Sequence, residues 1–343
     1  MIDLTKPVDA SFELNNKCNL MCPQCSRNII KDGELQKNPD TTGNPLSTLD
    51  SYEMSLDDFK ASLDNLGKVG LIKFYGTVSE NVASSNFFEI NEYAFSKNVR
   101  LLTSTNGSLR STKWWHELGK LYKNQETSKI VFCLDGIHEE LSLYRINANY
   151  DKIIENAIAF MEGGGRTEWR MIIFKHNQHQ VEDAEKLAKQ YGFHQFSYQY
   201  SNRRDIHGPF TYKGKEYNLE PQDRWKEWET IKKERLDHRE VGSIVCKFQE
   251  VNSVYVDYLC RVWPCCYLPN MKHLVGEQDY YDKYYYDMSN NLIDKSIEEI
   301  LTDDFYDKLQ KSWKNKESCL APCSSTCSFT DNLRTSNYRV NVW

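Results

Sequence analysis

The chain has 343 residues, of which 40% are hydrophobic and 27% charged, and its net charge is −6. This length and hydrophobic content are sufficient for a large folded domain with its own core. The acidic balance argues against a dedicated nucleic-acid binder, which would carry a basic surface, but it leaves open an enzyme that acts on RNA.

The N-terminal segment MIDLTKPVDASFEL lacks the apolar stretch of a signal peptide. No run approaches the roughly 20 apolar residues that a membrane helix needs. The sequence therefore predicts a cytoplasmic protein without a membrane segment. Eleven cysteines in such a compartment indicate metal or redox chemistry rather than disulfides.

Strand-like and helix-like segments alternate from residue 8 to residue 200. Val8, Ala10, Phe12 and Leu14 alternate with polar residues, which is the period of a strand. Further strands are predicted over 71–75, 100–104, 129–135, 168–174 and 194–200, and helices over 55–67, 86–98, 111–122, 150–164 and 181–192. Such alternation predicts a parallel sheet with right-handed crossovers. About six βα units, fewer than the eight of a TIM barrel, predict an α/β fold with a partial (β/α)6 TIM-like barrel.

Two segments interrupt this alternation. Residues 28–54 are polar and predict a long functional loop or lid. Residues 201–243 predict a hairpin over 210–221, followed by a charged helix over 223–236. Seven of the eleven cysteines follow residue 244. We therefore predict a barrel over 1–200, a bridging segment over 201–244 and a small cysteine-rich α+β domain over 245–343.

Three cysteines follow the first predicted strand in the stretch NNKCNLMCPQCSRN, as Cys18, Cys22 and Cys25. The C-terminal ends of the strands are where α/β barrels build their active sites. Cysteine thiolates bind iron–sulfur clusters or zinc. Three thiolates would leave one iron of a four-iron cluster open to another ligand, and a zinc knuckle is the alternative.

This CxxxCxxC motif resembles that of the radical S-adenosylmethionine superfamily. The resemblance implies that Cys18, Cys22 and Cys25 hold a catalytic [4Fe–4S] cluster whose open iron binds S-adenosylmethionine. It also implies reductive cleavage of that cofactor to a 5′-deoxyadenosyl radical, which abstracts hydrogen from a substrate. A reductant such as flavodoxin or ferredoxin is the implied redox partner.

The resemblance also implies cofactor contacts after successive strands. Gln24 stands where the family often has an aromatic residue near the adenine, so part of the adenine contact is expected from its amide or from elsewhere. A guanidinium suits a bidentate grip on the cofactor carboxylate, the role implied for Arg145. The other implied contacts are Gly76, Thr77 and Glu80 after strand two, Ser104 and Asn106 after strand three, and Asn177 after strand five.

The cysteine-rich tail resembles the twitch or SPASM module, which carries auxiliary clusters. Cys260 stands at the place of the module's hairpin glycine, five residues before Cys265. The resemblance implies one auxiliary [4Fe–4S] cluster, and a four-cysteine zinc site stays an alternative. Its implied ligands are Cys246, Cys265 and two of Cys319, Cys323 and Cys327; if all three terminal cysteines bind, Cys246 or Cys265 is displaced.

Other features of the tail stay open. Cys260 and Cys266 are either small buried hydrophobic residues or donors of hydrogen to a substrate radical. The tyrosine-rich segment 280–286 either binds a substrate by stacking or covers the cluster.

The predicted reaction is hydrogen abstraction from a C–H bond of a peptide, protein or small metabolite, leading to oxidation, crosslinking or epimerisation. Because the first strand starts near Val8, no N-terminal leader-binding extension is obvious; a leader-guided peptide enzyme is therefore less favoured but stays an alternative. The alternatives are an RNA-modifying radical enzyme and a non-catalytic iron–sulfur or zinc protein.

Overall fold

The structure is a computed structural model that describes residues 2–38, 52–201, 208–223, 244–270, 275, 279–314, 319–327 and 338–342. The strands are β1 (Val8–Phe12), β2 (Asn28–Lys31), β3 (Glu34–Lys37), β4 (Val69–Phe74), β5 (Arg100–Thr105), β6 (Lys129–Cys133), β7 (Thr167–Ile173), β8 (Gln195–Tyr200), β9 (Gly208–Tyr212), β10 (Lys215–Leu219), β11 (Ser253–Val256), β12 (Val262–Trp263) and β13 (Tyr338–Val342). The α-helices are α1 (Leu56–Asn65), α2 (Phe87–Ser96), α3 (Thr112–Tyr122), α4 (Leu141–Tyr144), α5 (Tyr150–Glu162), α6 (Val181–Tyr191), α7 (Lys247–Glu250), α8 (Tyr267–Asn270), α9 (Asp279–Tyr286), α10 (Ile297–Leu301), α11 (Asp304–Ser312) and α12 (Ala321–Cys327).

The chain divides into two compact units, and each combines segments from distant parts of the sequence. The first unit comprises Met1–Lys17, Gly43–Arg100 and Ile231–Leu333. The second comprises Cys18–Thr42, Leu101–Thr230 and Arg334–Trp343. The predicted division at residues 200 and 244 stays a prediction.

The sheet of the first unit has the strand order β12-β11-β1-β4. Strand β1 pairs in parallel with β4 on one side and with β11 on the other, where Asp9 is opposite Ser253. Strands β11 and β12 form the antiparallel hairpin expected of the cysteine-rich tail. Because β11 completes the pairing of β1, the hairpin of the tail is part of the same sheet as the first strand.

Helix α1 shows why the predicted elements form where they do. The Ser55 side chain accepts a hydrogen bond from the Asp58 backbone N–H at 3.0 Å, as an N-cap residue does. The ring centroids of Phe12 and Phe59 lie 5.1 Å apart, and Phe59 also contacts Phe74. This apolar face holds α1 against β1 and β4.

The tyrosine-rich segment forms helix α9, and three of its rings belong to the core of the first unit. Tyr281, Tyr284 and Tyr285 are buried. Their rings surround Trp263 of the tail hairpin, and Tyr284 stacks on Phe305 with centroids 3.9 Å apart. These three rings therefore cover the hairpin rather than forming a substrate platform.

The main sheet of the second unit has the order β5-β6-β7-β8-β13. Strands β5 to β8 are parallel, and β13 pairs antiparallel with β8. Glu168 in β7 has a side chain that is only 1% exposed, and it accepts from Lys129 at 2.6 Å and from Arg170 at 2.7 Å. Burial alone would raise the pKa of Glu168, but Arg170 and Lys129 outweigh burial and lower it to about 2.

A second, smaller sheet in this unit has the order β10-β9-β3-β2. Its β2–β3 hairpin replaces part of the loop predicted over 28–54, because Asp32 and Gly33 adopt the positive φ angles, 53° and 78°, of a tight hairpin turn. The predicted hairpin over 210–221 is present as β9 and β10. Leu35 of this sheet lies in an apolar cluster against which Met21 and Cys22 pack, so the sheet supports the cysteine segment.

The predicted fold class, α/β with parallel βα units, is confirmed. All six strands and five helices predicted between residues 8 and 200 are present, with ends shifted by at most two residues. Most of the helix predicted over 223–236 lies outside the described residues. Within the part of the chain that the structure describes, no helix is long and apolar enough to cross a membrane.

Candidate active site

The cysteine segment begins six residues after β1 ends and folds into tight turns. The backbone N–H of Cys25 donates to the carbonyl of Cys22 at 3.0 Å, and that of Met21 donates to the carbonyl of Ile146 at 3.1 Å. Cys18, Cys22 and Cys25 are all partly exposed and free of disulfides. Each of the three residues therefore keeps some exposed surface.

Two N–H donors approach the sulfur of Cys18. The Asn106 amide Nδ2 lies 3.9 Å and the Leu20 backbone N 3.5 Å from its Sγ. Asn106 is 4% exposed, and its amide oxygen accepts from Ser108, which fixes its orientation. N–H donors stabilise a thiolate, so the end of β5 supports an anionic sulfur here.

Arg145 lies near Cys22 and is anchored by a buried carboxylate. Its Nε is 2.7 Å from Oδ2 of Asp135, a residue with no exposed surface. The other oxygen of Asp135 accepts from the backbone N–H of Ile172 at 2.6 Å. Burial raises the pKa of the Cys22 thiol, and the Arg145 guanidinium opposes that shift. Sequence reasoning missed Asp135, although its position directly after a buried strand is a usable signal.

Three other predicted contacts also lie in the second unit. Gln24 is 2% exposed, and its amide oxygen accepts from the Ser201 hydroxyl at 2.8 Å. The amide of Asn177 donates to the carbonyls of Asp135 and Ile172 and accepts from Phe174 N–H, so these contacts hold the ends of β6 and β7. Ser104 is partly buried within β5. Their predicted contacts with the cofactor stay predictions.

The predicted glycine turn lies in the first unit, directly after β4. Gly76 has φ +62°, and a Cβ there would overlap the carbonyl oxygen of Ser79. The backbone N–H of Thr77 donates to the Glu13 carboxylate at 2.9 Å. Glu80 is 4% exposed, and its side chain accepts from the backbone N–H of Val82. The turn therefore has one defined backbone conformation.

Four tail cysteines line one small apolar cavity, also in the first unit. They are Cys246, Cys265, Cys323 and Cys327, and each is less than 9% exposed. Cys319 is half-buried and is not among the residues that line it. Burial raises the pKa of the Cys323 thiol to about 12, against the effect of the Trp313 indole N–H. The arrangement favours Cys323 and Cys327 as the two terminal ligands.

The remaining tail cysteines differ in their surroundings. Cys260 is 3% exposed and has φ +63°, a conformation that suits glycine, the residue of the family's pattern at this place. Cys266 is partly buried, and its backbone carbonyl accepts from the Asn270 amide at 2.7 Å. Their predicted role as hydrogen donors stays a prediction.

The spacing of the thiols bears on which metal they suit. Among the residues that the structure describes, no three His, Cys, Asp or Glu side chains are close enough to hold a single metal ion. A four-iron cluster is larger than one zinc ion, so its thiolate ligands lie farther apart. Distances between the sulfur atoms would therefore distinguish a cluster from a zinc ion at both cysteine groups.

No family model matches the chain. It is 26% identical over 211 residues to the antilisterial bacteriocin subtilosin biosynthesis protein AlbA of Bacillus subtilis strain 168, covering 59% of this chain and 42% of AlbA. It is 28% identical over 175 residues to the Fe-coproporphyrin III synthase of Methanosarcina barkeri strain Fusaro, covering 50% of this chain and 38% of the synthase. The matched segments thus span about two fifths of these curated relatives.

Solved structures share the fold. Native anSMEcpe with bound AdoMet and Cp18Cys peptide has a TM-score of 0.53 and 16% identity, over 95% of this chain and 92% of that chain. Streptococcus suis SuiB has a TM-score of 0.51 and 11% identity, over 82% of this chain and 66% of that chain. These similarities support the resemblance to the radical S-adenosylmethionine superfamily that the cysteine motif indicates. Radical S-adenosylmethionine proteins bind that cofactor at a [4Fe–4S] cluster, and their partial TIM-like barrel is the fold predicted for this chain.

Proposed function

We propose that this radical S-adenosylmethionine protein is an enzyme that removes hydrogen from a C–H bond of its substrate. The observation that carries the proposal is the triad Cys18, Cys22 and Cys25 after β1, with Asn106 at one sulfur and Arg145 near another. When bound, the cluster and S-adenosylmethionine supply a one-electron cleavage that generates an organic radical. Flavodoxin or ferredoxin is the proposed source of the electron.

Three of the predicted cofactor residues have separate proposed tasks. Asn106 donates its amide N–H to the Cys18 sulfur and so stabilises the thiolate form. Arg145 keeps its guanidinium ionised beside Asp135 and presents it to the cofactor carboxylate. Gly76 lets the turn after β4 expose backbone groups to the cofactor's amino group.

We also propose an auxiliary [4Fe–4S] cluster in a twitch-like tail. The support is the apolar cavity shared by Cys246, Cys265, Cys323 and Cys327. Four protein thiolates would leave no iron open, which suits a cluster that accepts an electron rather than one that binds the cofactor. In an oxidation, that cluster would take the electron left on the substrate.

A peptide is the proposed substrate class. AlbA acts in the biosynthesis of the bacteriocin subtilosin, and anSMEcpe has been solved with a bound Cp18Cys peptide. The proposed outcome is oxidation, crosslinking or epimerisation. A small metabolite is the second candidate, because Fe-coproporphyrin III synthase is also a relative.

Anaerobic reconstitution tests the reaction. The protein is loaded with iron and sulfide, reduced with dithionite in the presence of S-adenosylmethionine, and assayed for 5′-deoxyadenosine. About eight irons per chain and formation of 5′-deoxyadenosine are expected. Cys22→Ala should abolish the product, whereas Cys133→Ala is the matched control and should retain it. Wild type with full iron content and no 5′-deoxyadenosine would overturn the proposal.

Peptides encoded by genes next to this one test the substrate class. A true substrate should increase the yield of 5′-deoxyadenosine and change in mass. Solvent deuterium in the product would indicate epimerisation, and loss of hydrogen without deuterium uptake would indicate oxidation or crosslinking. A small metabolite that alone stimulates turnover would refute the peptide assignment.

A further inference from the structure

Glu13 is a buried carboxylate for which the proposed reaction has no direct role. It follows β1 directly and precedes Cys18 by five residues. It has no exposed surface. Burying a carboxylate is costly unless hydrogen bonds compensate for its lost hydration, so its partners indicate what it holds.

Four donors surround the Glu13 carboxylate. Oε2 accepts from the backbone N–H of Thr77 at 2.9 Å and from the Tyr255 hydroxyl at 2.9 Å. Oε1 accepts from the backbone N–H of Val78 at 3.2 Å and from the Ser79 hydroxyl. Three consecutive residues of the turn after β4 are thus bound to one side chain.

We propose that Glu13 is a positioning residue that fixes the Gly76–Glu80 turn and connects it to the cysteine-rich tail. The assignment rests on the proposed function, since that function makes this turn a cofactor contact. Glu13 itself touches no cofactor atom in this scheme. It acts by holding the backbone of Thr77 and Val78 in one conformation.

The connection to the tail runs through Tyr255 in β11. Its hydroxyl donates to Glu13 and accepts from the Asn270 amide at 3.3 Å. The same amide nitrogen of Asn270 donates to the backbone carbonyl of Cys266 at 2.7 Å. Cys266 is adjacent to Cys265, one of the proposed auxiliary ligands. A continuous hydrogen-bonded path therefore joins the turn to the segment that carries Cys265 and Cys266.

A carboxylate suits this position better than an amide. Each of its two oxygens accepts from one backbone N–H of the turn and one hydroxyl. A glutamine would offer only one oxygen, and its NH2 group would face either Thr77 N–H or Val78 N–H in either orientation. Glu13→Gln therefore keeps the shape of the side chain but leaves one buried backbone donor without an acceptor.

Amide hydrogen exchange on the protein without cofactors tests the proposal directly. Glu13→Gln should accelerate exchange of Thr77 and Val78 by about tenfold or more, as loss of a hydrogen bond to a charged group implies. Glu168→Gln is the matched control, because it also neutralises a buried carboxylate but lies in the other compact unit. Tyr255→Phe, which removes only the bond from the tail, should accelerate exchange less than Glu13→Gln.

Cofactor binding gives the second measurement. In reconstituted Glu13→Gln, the Kd and KM for S-adenosylmethionine should rise about tenfold, while kcat and the iron content of the first cluster change little. Equal exchange of Thr77 and Val78 in Glu13→Gln and Glu168→Gln would overturn the proposal. Tyr255→Phe with wild-type exchange would overturn the connection to the tail. Wild type that fails to bind S-adenosylmethionine would refute the proposed function instead, and the exchange result would still decide the role of Glu13 in the turn.

Discussion

The buried ion pair between Asp135 and Arg145 gives a quantitative prediction. Asp135 has no exposed surface and the Arg145 side chain is 13% exposed, with Nε and Oδ2 2.7 Å apart. Removing one partner of a buried pair costs about 3–5 kcal/mol, because the other charge stays buried without compensation. The guanidinium retains some access to water, and an asparagine oxygen can still accept from Ile172 N–H. We therefore expect Asp135→Asn to lower the free energy of unfolding by about 3 kcal/mol.

Thermal unfolding measures this effect. A loss of about 3 kcal/mol corresponds to a fall in Tm of about 6–12 °C for a unit of this size. Arg145→Met and the double variant complete a mutant cycle, in which the double variant should be more stable than the sum of the two single losses predicts. Asp135→Asn should also weaken binding of S-adenosylmethionine, because Arg145 loses its anchor. A Tm within about 1 °C of wild type, or strictly additive losses, would refute the reasoning.

Three further predictions concern the cysteine-rich tail and the second unit. Cys323→Ala should lower the iron content of the reconstituted protein toward about four per chain, whereas Cys319→Ala should keep about eight; equal losses would contradict the assignment. Glu168 has a pKa of about 2 in the folded protein, below its ordinary 4.5. The ionised Glu168 side chain therefore contributes about 3 kcal/mol to the free energy of unfolding above pH 4.5, and this contribution is lost as the pH falls toward 2. In Glu168→Gln, Tm should consequently fall less on acidification than in wild type. Parallel curves of Tm against pH for the two proteins would show that the ion pairs of Glu168 are unimportant for stability. Cys260→Gly should be more stable than Cys260→Ala by about 1 kcal/mol in thermal unfolding, because φ is +63° there; the reverse order would contradict this.

The local sequence pattern was sufficient to predict the strands and helices of the barrel. Alternation from Val8 to Leu14 and the cap at Ser55 are interactions between near neighbours in sequence, and the structure contains the predicted strand and helix. The hairpin at Asp32 and Gly33 also has a local signal, the Asp-Gly turn, but the polar composition of the segment favoured a loop.

Long-range packing decided what the sequence pattern left open. Nothing local indicates that β11 pairs with β1, because Ser253 and Asp9 are separated by most of the chain. The tyrosine-rich segment was ambiguous because the same rings that bind a substrate can also pack around Trp263. Likewise, spacing alone could not separate Cys319 from Cys323, whereas only Cys323 of the two lines the shared cavity, which supports its proposed role as a ligand.

The pairing of β1 with β11 has a consequence for biosynthesis. Strand β1 is translated well before one of its two neighbours, which ends at Val256. Until that residue is translated, the N–H and C=O groups along one edge of β1 have no strand partner, and exposed edges promote association between chains. A nascent or truncated chain that stops before Ser253 is therefore expected to aggregate. Deletion of the tail would for this reason reduce expression and solubility, and this loss would appear before any effect on electron transfer could be measured.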